Sequence, residues 1–441
     1  MAASVPSSMT ENNRLYRNTQ MTAARSRHLL ARLAIGLLGL IAALVAPVAA
    51  RAQLVPSLPG TIDRTLGGVR DTLQPLDRTV DDVRQRAREQ VRRTRDLARQ
   101  YPDRVAIDRD GNAVRAGEVT VVDADADIIR AAQERGFRLI ESVDLDGLGI
   151  GYSRFAAPRG LSIGRALSRM RDVAKGREVS ADPLHFASGT LGEEAASPDT
   201  RAAAQARGRI GIIDGGVPRG TPGLVQQQGF ATGGPRPHDH ATAIASLLTG
   251  GGGIKPSAGG ASLYVADVYG GDPAGGNATA IAKSLAWMTR ERVPIVVVSL
   301  VGPSNPLLAR VVAAARDRGT LVVAAVGNDG PAAPPAYPAS YREAIAVTGV
   351  DARGRPLIEA GRARHLHYAA PGADMLALGA NGRSKAVRGT SFAAPFVAAR
   401  LSAHLADGHE KAIAAVNSEA RRGGRATGRG IVCRECRTAV R

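Results

Sequence analysis

Cysteine is nearly absent: Cys433 and Cys436 are the two in 441 residues. That excludes a scaffold held by many disulfides and a zinc site with four cysteine ligands. In "GIVCRECRTAVR" the pair reads either as half a metal site, with no second pair and no nearby His to complete it, or as a small local disulfide. Aromatic residues make up 3% of the chain, so the core must be packed from Leu, Val, Ile and Ala. Acidic residues are outnumbered, 40 against 58 Lys and Arg, leaving a formal charge of +18 that attracts polyanions. Without zinc-finger spacing or aromatics interleaved with basic strand residues, sequence-specific binding of nucleic acid is not expected.

A long apolar run is also missing from most of the chain, and the single candidate lies near its start. "ARSRHLLARLAIGLLGLIAALVAPVAARAQ" has a basic n-region, an apolar stretch from about Leu33 to Val45 and a small-residue exit at Ala50-Arg51-Ala52. It reads as a secretory signal over residues 1–52, cut after Ala52, with residues 1–20 a polar extension and Met21 an alternative start. The run is short for a membrane anchor, and Pro47 interrupts its end. A secreted or periplasmic protein follows, and in an oxidising envelope the local disulfide is the better reading of Cys433 and Cys436.

Residues 53–115 form a basic helical arm: Ile62, Leu66, Val69, Leu73, Leu76, Val80, Val83 and Ala87 recur in steps of four and three. Gly67, Gly68 and Pro75 weaken the first half, so the helix is expected from about Leu76 to Gln100, either in a coiled coil or packed on the protein itself. From 116 to 187 the order is βαββαβ, with "EVTVVDA", "FRLIESVDL", "IGYSRFAAP" and "DPLHFAS" as strands. That is the pattern of a ferredoxin-like α+β unit. Residues 188–207, Ala-rich and without periodicity, read as an exposed linker.

Beyond Gly208 short apolar runs, "RIGIID", "SLYVADVY", "PIVVVSL", "TLVVAAVG" and "AIAVTGV", alternate with helical segments such as "NATAIAKSLAWMTRE" and "NPLLARVVAAARDRG". Continuous apolar strands between helices predict an α/β domain over 208–441, a doubly wound, mainly parallel sheet covered on both faces. Function in such a sheet gathers at the carboxyl ends of the strands. Asp214 ends the first strand, His240 opens a helix in "HDHATAIASLLTG", Asn328 follows the fourth strand, and Ser391 precedes the helix of "RGTSFAAPFVAARL". Each alone reads as a cap or turn residue. Together they supply a carboxylate, an imidazole, an amide and an alcohol at the places where a parallel sheet collects them.

"IGIIDGGV", "HATAIASLL", "AAVGNDGP" and above all "RGTSFAAPFVAA" resemble the motifs of the subtilisin-like serine proteases (subtilases), over about 208–432. The resemblance implies a serine endopeptidase. Ser391 is then the nucleophile, His240 its general base and acid, Asp214 the orienting carboxylate and Asn328 an oxyanion donor. It further implies that Ser299, Leu300, Val301 and Gly302 with Gly327 frame a groove in which a protein or peptide substrate pairs as an added strand. "GRGIV" resembles the closing strand. The same resemblance makes the ferredoxin-like unit a propeptide, an intramolecular inhibitor cut by the enzyme itself within 186–207. No cofactor is expected, and the loop "GGDPAGGN" is too generic to assign calcium. Three positions depart from the family pattern: Gly215 replaces Ser or Thr, Ala243 a histidine and Ser246 a glycine. They leave open an alternative, a catalytically weak subtilase scaffold whose basic arm binds an anionic envelope surface or a protein partner.

Overall fold

The computed structural model describes residue 89 and residues 91–195 and 208–440; the expected signal, its cleavage site and most of the basic arm lie outside the described residues. Residues 91–100 are helical, the described end of the arm. A hairpin follows, β1 (Val105–Ile107) paired antiparallel with β2 (Ala113–Arg115).

The next unit is built from β3 (Glu118–Val122), α1 (Ala126–Glu134), β4 (Arg138–Leu145), β5 (Ile150–Ala156), α2 (Ile163–Val173) and β6 (Val179–Ser180). Its four strands form one antiparallel sheet in the order β4-β5-β3-β6. Alternation puts Val119, Val121 and Phe155 on one face, where they bury Ala132 of α1 with Ala166 and Met170 of α2. The opposite face, with Val122, Leu145, Ile150 and Tyr152, shares a core with the large domain. "DPLHFAS" is not the fourth strand of this sheet; Val179–Ser180 is. The segment instead leaves the unit, and its Phe186–Ala187, β7, pairs antiparallel with Leu300–Val301 of the large domain. Part of the expected linker is also ordered: β8 (Thr190–Glu194) pairs with a strand near the C-terminus.

The large domain runs through β9 (Arg209–Asp214), β10 (Leu224–Gly229), α3 (Asp239–Thr249), β11 (Ser262–Asp267), α4 (Ala278–Arg290), β12 (Ile295–Val298), β13 (Leu300–Val301), α5 (Pro306–Asp317), β14 (Leu321–Ala325), β15 (Ile345–Val350), β16 (Tyr368–Pro371), β17 (Met375–Leu378), β18 (Ser384–Arg388), α6 (Ala394–Ala403) and α7 (His409–Glu419). Seven strands form a parallel sheet in the order β10-β11-β9-β12-β14-β15-β16. Apart from Arg209 and Ser262, which open β9 and β11, its inner strands are buried, as parallel strands covered on both faces must be. Helices α3 and α6 pack on one face with Ile212, Val297 and Val323; α4 and α5 pack on the other with Ile213, Val296 and Val322. The outermost strand, "LVQQQG", was not expected from the sequence. Gln226 and Gln228 are exposed at the sheet edge and Gln227 bonds the backbone of Val217, which removes the apolar run that marks its neighbours. "GRGIV" forms single bridges through Ile431 and no strand.

Helix caps tie the small unit to the large one. Asn277 caps α4 at the N–H of Ala280, while Asp182 of the small unit accepts from Thr279 N at 3.0 Å and from Thr279 Oγ1 at 2.6 Å. Asn305 caps α5, with Pro306 in the first turn, and its amide nitrogen donates to Ala181 O at 3.2 Å.

Candidate active site

The carboxyl end of β9 carries Asp214 on fully buried backbone, and the chain turns at once through Gly215-Gly216. Asp214 Oδ1 accepts from Gly215 N at 2.8 Å, and Oδ2 lies 2.8 Å from His240 Nδ1. His240 is not itself the helix cap. His238 holds that position and accepts from His240 N at 3.3 Å, which places His240 in the first turn of α3 with its ring facing the sheet end. The other ring nitrogen, His240 Nε2, is buried with no hydrogen-bond partner among the described residues.

Ser391 sits in a 3-10 turn, Thr390–Phe392, between β18 and α6. Its hydroxyl caps nothing, and α6 begins at Ala394 behind an N-cap residue, Ala393, that makes no side-chain hydrogen bond. The His240 ring lies 5.3 Å from that of Phe392, the residue after Ser391. Ser391 Oγ donates to the carbonyl oxygen of Ser188, lies 2.7 Å from Ser188 Oγ, and approaches Ser299 O at 3.2 Å. Ser299 Oγ in turn donates to Ser391 O at 2.9 Å, fixing the turn from below.

Asn328 is held by accepting the N–H of Thr390 at 3.0 Å, and Thr390 Oγ1 donates to Gly327 O at 3.1 Å. This leaves Asn328 Nδ2 buried and unpartnered. A native protein rarely buries a polar atom without a partner, and the exceptions call for a reason. Two such atoms here, His240 Nε2 and Asn328 Nδ2, belong to residues flanking the Ser391 turn.

A strand of the protein's own chain fills the groove. β7 pairs with β13, Leu300 opposite Ala187 and Val301 opposite Phe186, and Ser188 N donates to Ser299 O at 3.3 Å. Across the groove His185 N donates to Gly276 O at 2.8 Å and Tyr269 Oη donates to His185 O at 3.0 Å. Beyond Gly189 the chain continues as β8 along β18. The structure thus brings Ser299, Leu300, Val301 and Gly302 to one wall of the groove, and Gly327 and Asn328 to the Ser391 turn. The sequence did not mark Ser188 as the residue facing Ser391; it offered "DPLHFAS" as the last strand of the small unit and, through the family resemblance, as an inhibitory tail ahead of the region to be cut. Cys433 and Cys436 are joined as a disulfide, with S–S 1.95 Å.

The departures at Gly215 and Ser246 have local causes. A Cβ on Gly215 would lie 2.5 Å from the Cβ of His238, so the helix cap occupies the space a larger residue needs. Ser246 Oγ donates to Ala243 O at 2.8 Å and accepts from Leu378 N at 3.0 Å, joining α3 to β17. Among the described residues no cluster of His, Cys, Asp and Glu is arranged to hold a metal.

Residues 226–416 match the subtilase family. That match spans less than half of the chain, and over it the chain is similar to the subtilases. The subtilase match extends to the major intracellular serine protease of Bacillus subtilis (strain 168), 35% identical over 172 residues, which are 37% of this chain and 54% of that protein. The chain therefore spans about half the length of that relative. Among solved structures, the subtilase fold is shared with fervidolysin from Fervidobacterium pennivorans, a keratinolytic enzyme related to subtilisin. TM-score is 0.62 at 16% identity, covering 74% of this chain and 61% of that one. The epidermin leader peptide processing serine protease from Staphylococcus aureus aligns with TM-score 0.57 at 14% identity, over 72% of this chain and 96% of that one.

Proposed function

We propose that the protein is a serine endopeptidase made as a zymogen, and that the peptide bond between Ser188 and Gly189 is its first substrate. The single observation that supports this most is the Ser188 carbonyl lying on Ser391 Oγ, with the flanking chain paired to the groove on both sides of that bond. Reacting groups held in contact make an otherwise bimolecular step effectively unimolecular.

The residues take these roles. Ser391 Oγ attacks the Ser188 carbonyl carbon while its proton passes to His240 Nε2, the buried ring nitrogen with no competing partner. Asp214, bonded to Nδ1, keeps that tautomer and stabilises the imidazolium. The oxyanion receives the N–H of Ser391 and the unpartnered Asn328 Nδ2, a donor that needs no reorganisation because its Oδ1 is already tethered. Collapse of the adduct expels the Gly189 amine, which takes the proton from His240. Water, activated by the same imidazole, then frees the acyl group from Ser391.

In this reading the ferredoxin-like unit is the propeptide, and residues 1–52 direct export to the periplasm or the exterior. The mature enzyme then accepts extended protein or peptide segments as an added strand beside β13. The test is N-terminal sequencing of purified wild-type and Ser391→Ala chains, with fluorophosphonate labelling. A new terminus at Gly189 and a label, both absent from the variant, are expected. An uncut, unlabelled wild-type chain would favour the inactive-scaffold alternative.

A further inference from the structure

We propose that residues 91–116, the end of the arm and the β1–β2 hairpin, form an inhibitory clamp that holds the tail 182–188 in the groove independently of the ferredoxin-like unit. This rests on the zymogen reading above and concerns what keeps the enzyme inhibited once its bond is cut.

The hydrogen bonds of the small sheet end with β6 at Ser180, two residues before the tail. From Asp182 onward the tail runs between two walls. One is the large domain, where Ala278 N donates to Pro183 O at 2.9 Å and Leu184 bridges Asn277. The other is the hairpin, where Leu184 N donates to Ala113 O at 2.9 Å, Arg115 N donates to Asp182 O at 3.0 Å and Val114 bridges Pro183. The hairpin adds a strand to the outside of the tail, the device by which one chain holds another in β-augmentation.

Side chains close the same seam. Val105 and Ala113 of the hairpin, Leu184 of the tail and Ala274 of the large domain form one buried apolar cluster, with Leu97, Ala98 and Phe186 packed on it. Arg104 Nη2 reaches Asp272 Oδ1 at 2.7 Å and Arg115 Nη1 reaches Asp272 Oδ2 at 3.2 Å. The Asp272 side chain is only 3% exposed. A carboxylate buried to that degree is costly unless paired, so removing its partners weakens the seam by more than a surface pair would. Burial alone would raise the Asp272 carboxyl, but the N–H of Ala274 and the charge of Arg115 outweigh it and hold it below the usual carboxylate range. Asp272 is the acid of "GGDPAGGN", a loop too generic in sequence to be assigned a role. It receives two arginines from the segment just ahead of the ferredoxin-like unit.

Cutting at Gly189 releases only the far end of the tail, and the clamp, which bonds to 182–184, is untouched by it. Activity on other substrates then requires the clamp to open. The test compares Arg104→Glu, which sets like charges together, and Asp272→Asn, which keeps the shape, each in the full chain. In the Ser391→Ala background, amide hydrogen exchange at 184–188 is expected to rise about tenfold or more, with β3–β5 unchanged. In the active background, peptide hydrolysis should appear sooner after the Gly189 terminus forms. Unchanged tail exchange in both variants overturns the clamp, as does faster exchange spread equally over β3–β5. Faster tail exchange in a chain that never cuts itself supports the clamp and defeats the proteolytic reading instead.

Discussion

The two halves of the groove are built differently. Asp214, Gly215, His238 and His240 form a closed assembly made wholly within the large domain, from one strand end and one helix start. Ser391 and Asn328 are open: the hydroxyl makes its short contacts to the tail, with Ser299 O farther off at 3.2 Å, and the amide nitrogen has no partner. The lesson is that the orienting half is fixed by the protein before any substrate arrives, while the reacting half is completed by the chain lying in it. In the proteolytic reading, changes at Gly215 and His238 act chiefly through stability, changes at Asp214, His240, Ser391 and Asn328 through turnover, and changes to the tail through release.

The largest expected effect lies on the open half. If Asn328 is the oxyanion donor proposed above, Asn328→Ala is expected to lower kcat by about 10²–10³ with KM little changed; that magnitude is the known cost of one such donor in subtilisin. Steady-state hydrolysis of a peptide ester checks it, and equal loss in KM would mean that Asn328 binds substrate rather than the transition state.

Next comes the tail. His185 is fully buried with neither ring nitrogen bonded, and burial pulls its imidazole down to about 4. A ring held neutral in the groove and titrating near its ordinary 6.5 when free favours the seated tail fully above about pH 6.5. That preference falls up to about tenfold per pH unit between 6.5 and 4, then levels off. Asp182 acts with the opposite sign: burial raises its carboxyl above the usual range, against the bonds from Thr279. The measurement is therefore the ratio of activation rates of wild type and His185→Leu across that window. It should grow towards acid pH, and a flat ratio would show that the imidazole is not what acid acts on.

The smallest effect belongs to the closed half. Gly215→Ser drives its Cβ against His238 and is expected to cost about 1–3 kcal/mol of stability, as overpacking does. The drop in Tm should exceed any change in kcat. A gain in both would mean that a hydroxyl at 215 is accommodated and that the departure is not imposed by the helix cap.

The sequence showed the parallel sheet wherever strands are buried on both faces, because burial writes an unbroken apolar run. It missed β10, where Gln226 to Gln228 line a sheet edge, and β8, whose Gly192, Glu193 and Glu194 are exposed and write no apolar run. It read "DPLHFAS" correctly as extended and gave it to the wrong sheet, since extended backbone does not name its neighbour. Asp214, His240, Asn328 and Ser391 were legible because each sits at an element end with a distinctive local context.

By itself, then, the order of residues determined the α/β class of the large domain, the chemical types available at its strand ends and the place where the chain enters that domain. Local periodicity and turn chemistry are short-range, and they survive in a linear string. Tertiary structure alone decided that Ser188 rests on Ser391, that His185 is dehydrated, and that Asp272 receives Arg104 and Arg115 from more than 150 residues earlier. Such pairings are set by which backbone edge is left open and which carboxylate is left dry once the domains have packed, and neither quantity exists until they do.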